Sequence, residues 1–368
     1  MVRNCIKGGS KGEVSTTMRE TYTYDDVQLV PLYSEIESRG SINLQTKLTR
    51  TFNLMVPYVA SPMDTVCEVG MAKRMYEFGG VGCIHRFMSI EEQADQVKQL
   101  QQFLYQKKHD ELYSIWGEEK KPIMAAIGAN GDFFERATEL FDKGANVLLI
   151  DVAHGHHKNV KEAIRNIKSK LPIEVIAGNI ATSKSAEDLI NWGADGLRVG
   201  IGGGSLCTTR IQTGHGVPNI TSLCDVVKVA QEYDIPVMAD GGIRASGDIA
   251  KALAVGADTV MLGSLLAGTQ EAPGDIIEKG NHLYKRYRGS ASLETKSTHG
   301  QQQRNVEGES TVIPFKGGVK FVINRLNDGV RSALSYTGVD NIKDFQHKSQ
   351  LIKITEAGKL EAKPHLLG

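Results

Sequence analysis

Short, uniformly apolar runs alternate with longer amphipathic stretches through the middle of the chain. Phe52 to Ala60 reads as the first clear buried strand, and a helix over Glu68–Phe78 follows it. Gly79–His85 is the next strand, and Ser89 caps a long polar helix from Ile90 to about Gln106. The spacing then repeats. Strands at 123–127, 147–152, 174–177, 196–200, 236–239 and 259–262 precede helices at 133–143, 157–168, 185–192, 220–233, 246–255 and from 265. Runs apolar at every position belong to strands buried on both faces.

Counted from Pro57, these make eight strand–helix units in roughly 220 residues, the pattern of an α/β chain folded as a (β/α)8 barrel. A doubly wound open sheet is the alternative and needs a reversal of strand order. The chemistry-bearing residues fall just past the strand ends: Ser61 to Asp64, His85, Asp151, His154, Asn179, Cys207, Asp240 and Gly263. Barrel active sites gather on that face, which favours the barrel. Asp240-Gly241-Gly242 and Gly263-Ser264 are glycine-bearing turns before helices, suited to holding a phosphate.

One stretch concentrates unusual residues. The apolar run Leu197–Ile201 leads into Gly202, Gly203 and Gly204, then Ser205, Cys207 and Thr208-Thr209-Arg210. Glycines allow positive φ and close approach to a ligand. Turned N–H groups form an anion nest that favours a thiolate. Cys207 is therefore the candidate nucleophile. A buried cysteine acting as a small hydrophobe is the plainer alternative.

Outside this frame the pattern thins. Residues 1–20 read as a loosely held polar arm, and 21–340 as the barrel. A long active-site flap at about 270–313, poor in helix or strand signal, lies within it, and 341–368 read as a polar tail. Lys+Arg and Asp+Glu both number 43, so net charge offers no case for nucleic acid or an anionic membrane. The five cysteines are scattered without a CxxC pair, which points to neither a zinc site nor a disulfide framework. No signal peptide or membrane-length apolar run is read, and a cytoplasmic location is expected.

Several motifs in order closely resemble the IMP dehydrogenase/GMP reductase family. They are Tyr24-Asp-Asp-Val, Ser61-Pro-Met-Asp-Thr65, Gly82-Cys-Ile-His85, Gly204-Ser-Leu-Cys-Thr-Thr-Arg210, Asp240-Gly-Gly-Ile-Arg244, Ser246-Gly-Asp-Ile-Ala-Lys251 and Tyr287-Arg-Gly289. The resemblance covers about residues 20 to 340 and implies the barrel. It implies that Cys207 attacks C2 of a purine monophosphate. Within the family, a dehydrogenase oxidises IMP to XMP with NAD, and a reductase converts GMP to IMP and ammonia with NADPH.

Residues 107–122 leave no room for the regulatory domains that dehydrogenases usually insert there. The stretch Lys296–Gly308 lacks the Arg-Tyr pair of the dehydrogenase flap. Gly289-Ser-Ala-Ser292, Asn305-Val-Glu-Gly308 and Ser332–Gly338 resemble reductases, whereas Ile84–Ile90 and Cys207–Pro218 resemble bacterial dehydrogenases as much. The expectation is the reductase, with the dehydrogenase second and a catalytically silent nucleotide-binding regulator third.

The resemblance implies roles for individual residues. Ser205, Gly242, Gly263, Ser264 and Tyr287 would hold the phosphate, Asp240 the ribose, and Ser290 and Ala291 with Glu307 the base edge, with Gly241 also among the substrate-binding residues. Thr209 and Glu307 would relay the proton to the departing amine. Asp151, His154 and Asn179 would line the NADPH side. A monovalent cation, usually K⁺, would sit on carbonyls of Gly202, Gly204 and Cys207. A homotetramer is implied as well.

Overall fold

The computed structural model describes residues 18–106, 112–290, 292 and 307–363. Two short strands, β1 (Val27–Leu29) and β2 (Thr46–Lys47), precede β3 (Asn53–Leu54) and β4 (Tyr58–Ala60). Seven strands then follow: β5 (Val81–Ile84), β6 (Met124–Ile127), β7 (Val147–Asp151), β8 (Glu174–Ile180), β9 (Gly196–Val199), β10 (Val237–Asp240) and β11 (Thr259–Leu262). Strands β4 to β11 form a closed eight-stranded parallel barrel, in which β11 returns to β4 through the pairs Val260↔Tyr58 and Leu262↔Ala60. The fold is a (β/α)8 TIM barrel. Closure excludes the open doubly wound sheet.

The helices follow the strands. They are α1 (Val69–Tyr76), α2 (Ile90–Gln106), α3 (Tyr113–Trp116), α4 (Phe133–Asp142), α5 (Lys158–Lys170), α6 (Ser183–Trp192), α7 (Thr209–Thr213), α8 (Asn219–Glu232) and α9 (Ser246–Ala254). Their buried positions recur at helical spacing, as at Val160, Ala163, Ile164 and Ile167 of α5, so one stripe of each packs on the barrel. Ser89 caps α2 reciprocally: its hydroxyl takes the Glu92 N–H at 3.1 Å, and Glu92 takes the Ser89 N–H at 2.9 Å.

Four expectations need correction. The apolar run from Phe52 is not one strand. Asn53–Leu54 pairs antiparallel with Thr46–Lys47, and only Tyr58–Ala60, beyond Pro57, enters the barrel. This hairpin closes the N-terminal end, where the Thr46 hydroxyl donates to the Asp258 carbonyl at 2.8 Å and Leu48 is buried. No helix starts at Leu265. Residues 264–269 are turns, and the eighth outer helix is α10 (Val319–Thr337), packed against α9.

The described part of the flap is a three-stranded antiparallel sheet of β12 (Ile276–Lys279), β13 (His282–Arg288) and β14 (Ser310–Pro314). Its sequence hides this because only alternate residues of one strand, Lys285 and Tyr287, are buried. The stretch read as a polar tail also holds regular structure in its described residues, 341–363. It forms α11 (Ile342–Lys348), β15 (Leu351–Lys353) and α12 (Glu356–Glu361), with β15 antiparallel to β1. Of the N-terminal arm, residues 1–17 lie outside the described residues; Arg19 pairs with Asp225.

At the barrel floor the Asp258 carboxylate accepts the Val237 N–H at 2.8 Å, and burial pushes its carboxyl up to about 6. The folded state thus holds this proton more tightly than the unfolded chain, whose carboxyl keeps its ordinary value near 3.8. The favourable contribution is present below that value and is lost as pH rises through about 6. Asp258→Asn keeps the acceptor and removes the charge. It is expected to stabilise the protein at pH 7.5 by on the order of 2 kcal/mol and to have little effect at pH 4, read by denaturant melts at both pH values.

Candidate active site

A cleft of about 420 Å³ opens at the C-terminal ends of the barrel strands. Its lining takes in Ser61, Asp151, Asn179, Ser205, Cys207, Thr209, Asp240, Gly263, Ser264, Tyr287, Ser290 and Glu307, drawn from segments far apart in sequence. Parallel strands all end on one face, so the residue after each strand reaches the same space. The size suits a mononucleotide or a small ligand.

The cysteine loop leaves β9 through Gly200, with φ 142°, where an added Cβ would lie 2.0 Å from the Asp240 carbonyl oxygen. Glycine is required there for both reasons, and it lets the loop pass directly over the end of β10. Arg210 closes the loop from behind. Its guanidinium donates to the Ile201 carbonyl at 3.2 and 3.1 Å and to the Val217 carbonyl at 2.9 Å. Asn219 at the start of α8 donates to the Gly241 carbonyl, with its amide packed against Gly203. Two neighbouring loops are thereby held together.

The descending end of the flap docks on this loop. Thr208 N–H donates to the Glu307 carbonyl and Glu309 N–H to the Leu206 carbonyl, each at 3.0 Å, with Cys207 bridged to Gly308. This pairing delivers the Glu307 side chain beside the cysteine. The Cys207 thiol donates to Thr209 Oγ1 at 3.2 Å, and the Thr209 hydroxyl donates to Glu307 Oε2 at 2.6 Å. Thiol, hydroxyl and carboxylate thus form one continuous hydrogen-bonded path. Half-buried Cys207 lines the cleft, whereas Cys67 and Cys83 are fully buried with thiols pushed up by desolvation.

Across the cleft, Ser205 Oγ and the Tyr287 hydroxyl lie 3.1 Å apart, and burial raises the Tyr287 phenol. Gly241 and Gly242 both take positive φ, so the turn after β10 presents backbone to the cavity beside Gly263 and Ser264. The Lys316 ammonium donates to the Ser264 carbonyl, which ties this turn to the end of β14.

The opposite wall is a polar row. Asp240 Oδ2 accepts from Asn179 Nδ2 at 2.6 Å and from Arg198 Nε at 3.0 Å. Arg198 Nη1 donates to Asp151 Oδ1 at 2.5 Å, and Arg86 Nε stands 3.8 Å from Asp151 Oδ2. Burial works against the Arg198 charge, but Asp240 and Asp151 outweigh it and raise the guanidinium above its ordinary value.

Of the residues given a binding or catalytic role from sequence, His154 alone is described and lies outside the cleft lining; His85, also past a strand end, is buried with Nε2 3.1 Å from Glu68 Oε1 and does not line it either. His154 is exposed, its ring edge-on to His156 at 6.5 Å, while His156 stacks on Trp192 and meets Asp188 at 2.8 Å. Partial desolvation, then the neighbouring histidines, lowers the His154 pKa. Among the described residues no cluster of three or more His, Cys, Asp or Glu could hold a metal. Ala291 lies outside the described residues. Arg198 and Arg210 were given no role from sequence. Arg198 could have been found as a lone charge inside the apolar run Leu197–Val199.

Comparisons with known proteins agree with this geometry. Residues 21–365 match the family described as the IMP dehydrogenase / GMP reductase domain. The chain is 40% identical to the inosine-5'-monophosphate dehydrogenase of Cryptosporidium parvum over 380 aligned positions, covering 93% of this chain and 94% of that protein. It is 32% identical to the GMP reductase of Leishmania major over 479 positions, covering 95% and 97%. Among solved structures, a variant of GMP reductase from Trypanosoma brucei, in complex with guanosine 5'-monophosphate, superposes with a TM-score of 0.86 at 30% identity. That match covers 95% of this chain and 98% of the other.

The fold and site therefore define an oxidoreductase of purine nucleotide metabolism that works with a nicotinamide nucleotide. The chain belongs to the IMP dehydrogenase/GMP reductase family. The lack of an inserted domain does not separate the branches. The Cryptosporidium dehydrogenase aligns over 380 positions and the Leishmania reductase over 479, so the longer alignment is with the reductase. No helix among the described residues is long and apolar enough to cross a membrane.

Gly200→Ala is expected to destabilise the protein by about 1–3 kcal/mol, because the new Cβ meets the Asp240 carbonyl in a backbone region that disfavours side chains. Chemical denaturation measures this. A stability unchanged from the native protein would show that the loop does not need this approach.

Proposed function

We propose that the protein is a GMP reductase, which converts GMP to IMP and ammonia with NADPH. The observation that carries this reading is the path from Cys207 through Thr209 to Glu307. It suits expulsion of an amine, which needs a proton at the leaving nitrogen. The flap sequence supports it: between Gly289 and Glu307 there is no Arg-Tyr pair to activate water.

GMP would bind with its phosphate against Ser205, Gly241, Gly242, Gly263, Ser264 and Tyr287 and its ribose on Asp240. Asp240 Oδ2 already takes two donors, and Oδ1 would accept from the ribose hydroxyls. Ser290 and Ala291 would meet the base edge with Glu307. Cys207 loses its proton through Thr209 to Glu307 and forms a bond from sulfur to C2. The C2–N bond then breaks, and the proton stored on Glu307 leaves with the amine as ammonia. General acid assistance of this kind contributes about 10²–10⁴ in rate.

A reduced nicotinamide supplies the hydride that adds to C2. The C2–S bond then breaks, its electron pair returns to Cys207 as thiolate, and IMP is released. Asp151, Val152 and Asn179 line the cleft, and their polar groups suit a nicotinamide carboxamide, which offers both a donor and an acceptor. His154 would contact only a more distal part of the dinucleotide.

For K⁺, the carbonyls of Gly202, Gly204 and Cys207 are hard oxygen donors of the right kind on one loop. The Gly204 oxygen already accepts the Cys207 N–H at 3.1 Å, and three oxygens fall short of the shell a large cation takes. Further donors, for instance from a second subunit of a homotetramer, would complete it.

The dehydrogenase is the second reading, favoured by the 40% identity to the Cryptosporidium enzyme. Absorbance at 340 nm in GMP plus NADPH, and in parallel IMP plus NAD, separates the two. NADPH loss with ammonia release, absent in Cys207→Ala, is the expected result. NADH formation with XMP would replace the reductase by the dehydrogenase, and nucleotide binding without turnover would leave a binding protein.

Thr209→Val and Glu307→Gln each interrupt the proton path while leaving the thiol in place. Each is expected to lower kcat for ammonia release by about 10²-fold or more, with the dissociation constant of GMP changed far less by Thr209→Val. Near-native kcat in both variants would remove the path from the mechanism.

A further inference from the structure

We propose that Arg198 is a positioning residue that ties the nucleotide subsite to the nicotinamide subsite through one buried cation. The inference rests on the functional reading above, which places ribose on Asp240 and nicotinamide beside Asp151. Sequence position gives Arg198 no obvious role: it sits in the middle of β9, between Leu197 and Val199, where the other strand residues are apolar. Its side chain is 8% exposed, so water does not solvate the charge.

Its two bonds leave by different nitrogens in different directions. Nε meets Asp240 Oδ2 at 3.0 Å and Nη1 meets Asp151 Oδ1 at 2.5 Å. A planar guanidinium fixes the angle between those bonds, so the two carboxylates are held in one relative orientation. Asn179 donates a second bond to the same Asp240 oxygen, which locks that carboxylate against rotation. With Arg86 beyond Asp151, charges alternate in sign from the cleft wall to the ribose site: Arg86, Asp151, Arg198, Asp240.

Two carboxylates this close to one buried group repel each other without it. Removing the cation therefore disturbs both at once. Lysine keeps the charge but presents a single point of contact, so it satisfies one carboxylate and releases the other. Arg198 touches neither reacting atom in this account. Its effect is transmitted through Asp240 and Asp151, and the signature is a joint loss at two ligands from one substitution.

The test is calorimetric titration of GMP, and separately of NADP⁺, which does not react with it, into native protein, Arg198→Lys and Arg198→Gln. Each is measured well below its own melting temperature. The expected result is weakening of both ligands by about tenfold or more in each variant, while the variants stay folded. A residue needed only for folding would lower the melting temperature and leave both affinities intact, which overturns the proposal. Loss of one ligand only, or both affinities within about twofold of native, also overturns it. If both variants fail to fold, Arg198 is a stability residue and the proposal falls.

If native protein turns over IMP with NAD⁺ and not GMP with NADPH, the reductase reading fails. The same titrations with that pair then decide the role of Arg198 separately. Binding of neither GMP nor IMP by native protein overturns both.

Discussion

Docking of residues 307–309 on residues 206–208 is the constraint on which the candidate chemistry depends. Two backbone hydrogen bonds at 3.0 Å make the flap's end a short partner strand for the cysteine loop. Without that pairing Glu307 would be a solvated loop charge, and Thr209 would have no acceptor. With it, a carboxylate from residue 307 and a thiol from residue 207 share one hydroxyl between them. The barrel supplies a rigid base for this contact because β9 and β10 pair in register and Gly200 lets the loop cross the end of β10. Rigid support of this sort is what fixes a reacting pair within the narrow geometry that catalysis requires.

The rest of the site follows from the same economy of placement. On the cleft wall Asn179 and Arg198 are buried and paired, and their bonds also orient Asp240 and Asp151, which line the cleft. Arg210 holds the cysteine loop, Asn219 joins it to the Gly241 turn, and Lys316 ties the Ser264 turn to the flap sheet. Side chains that make no contact with the reacting atoms thus carry much of the precision of the site. Membership of the family settles the reaction class, and the proposed branch is argued from the flap and from Glu307, which it brings in.

The barrel was legible in the chain because both faces of each strand are buried, which leaves an unbroken apolar signature such as Val147–Ile150. The strand-end rule then located Cys207, Asp240, Asn179 and Asp151 on one face before any geometry was known. Glu307 was legible only by resemblance, since a lone acid in a polar loop has no local signature. The flap sheet was missed because its strands face solvent on one side and pair through backbone groups. The segment after residue 340 was missed for a related reason: β15 is three residues long and its partner β1 lies some three hundred residues away in sequence. His154 fell outside the cleft lining because a position just past a strand end fixes the loop, not the direction in which a side chain leaves it.

The most direct test of the account is a crystal structure of the Cys207→Ala protein with GMP bound. The account places purine C2 within about 3–3.5 Å of where the sulfur would lie, with the 2-amino group against Glu307 and Thr209 and the phosphate on the Gly242 and Gly263 turns. A base turned so that C2 lies away from residue 207, or an amino group with no contact to Glu307, would contradict it.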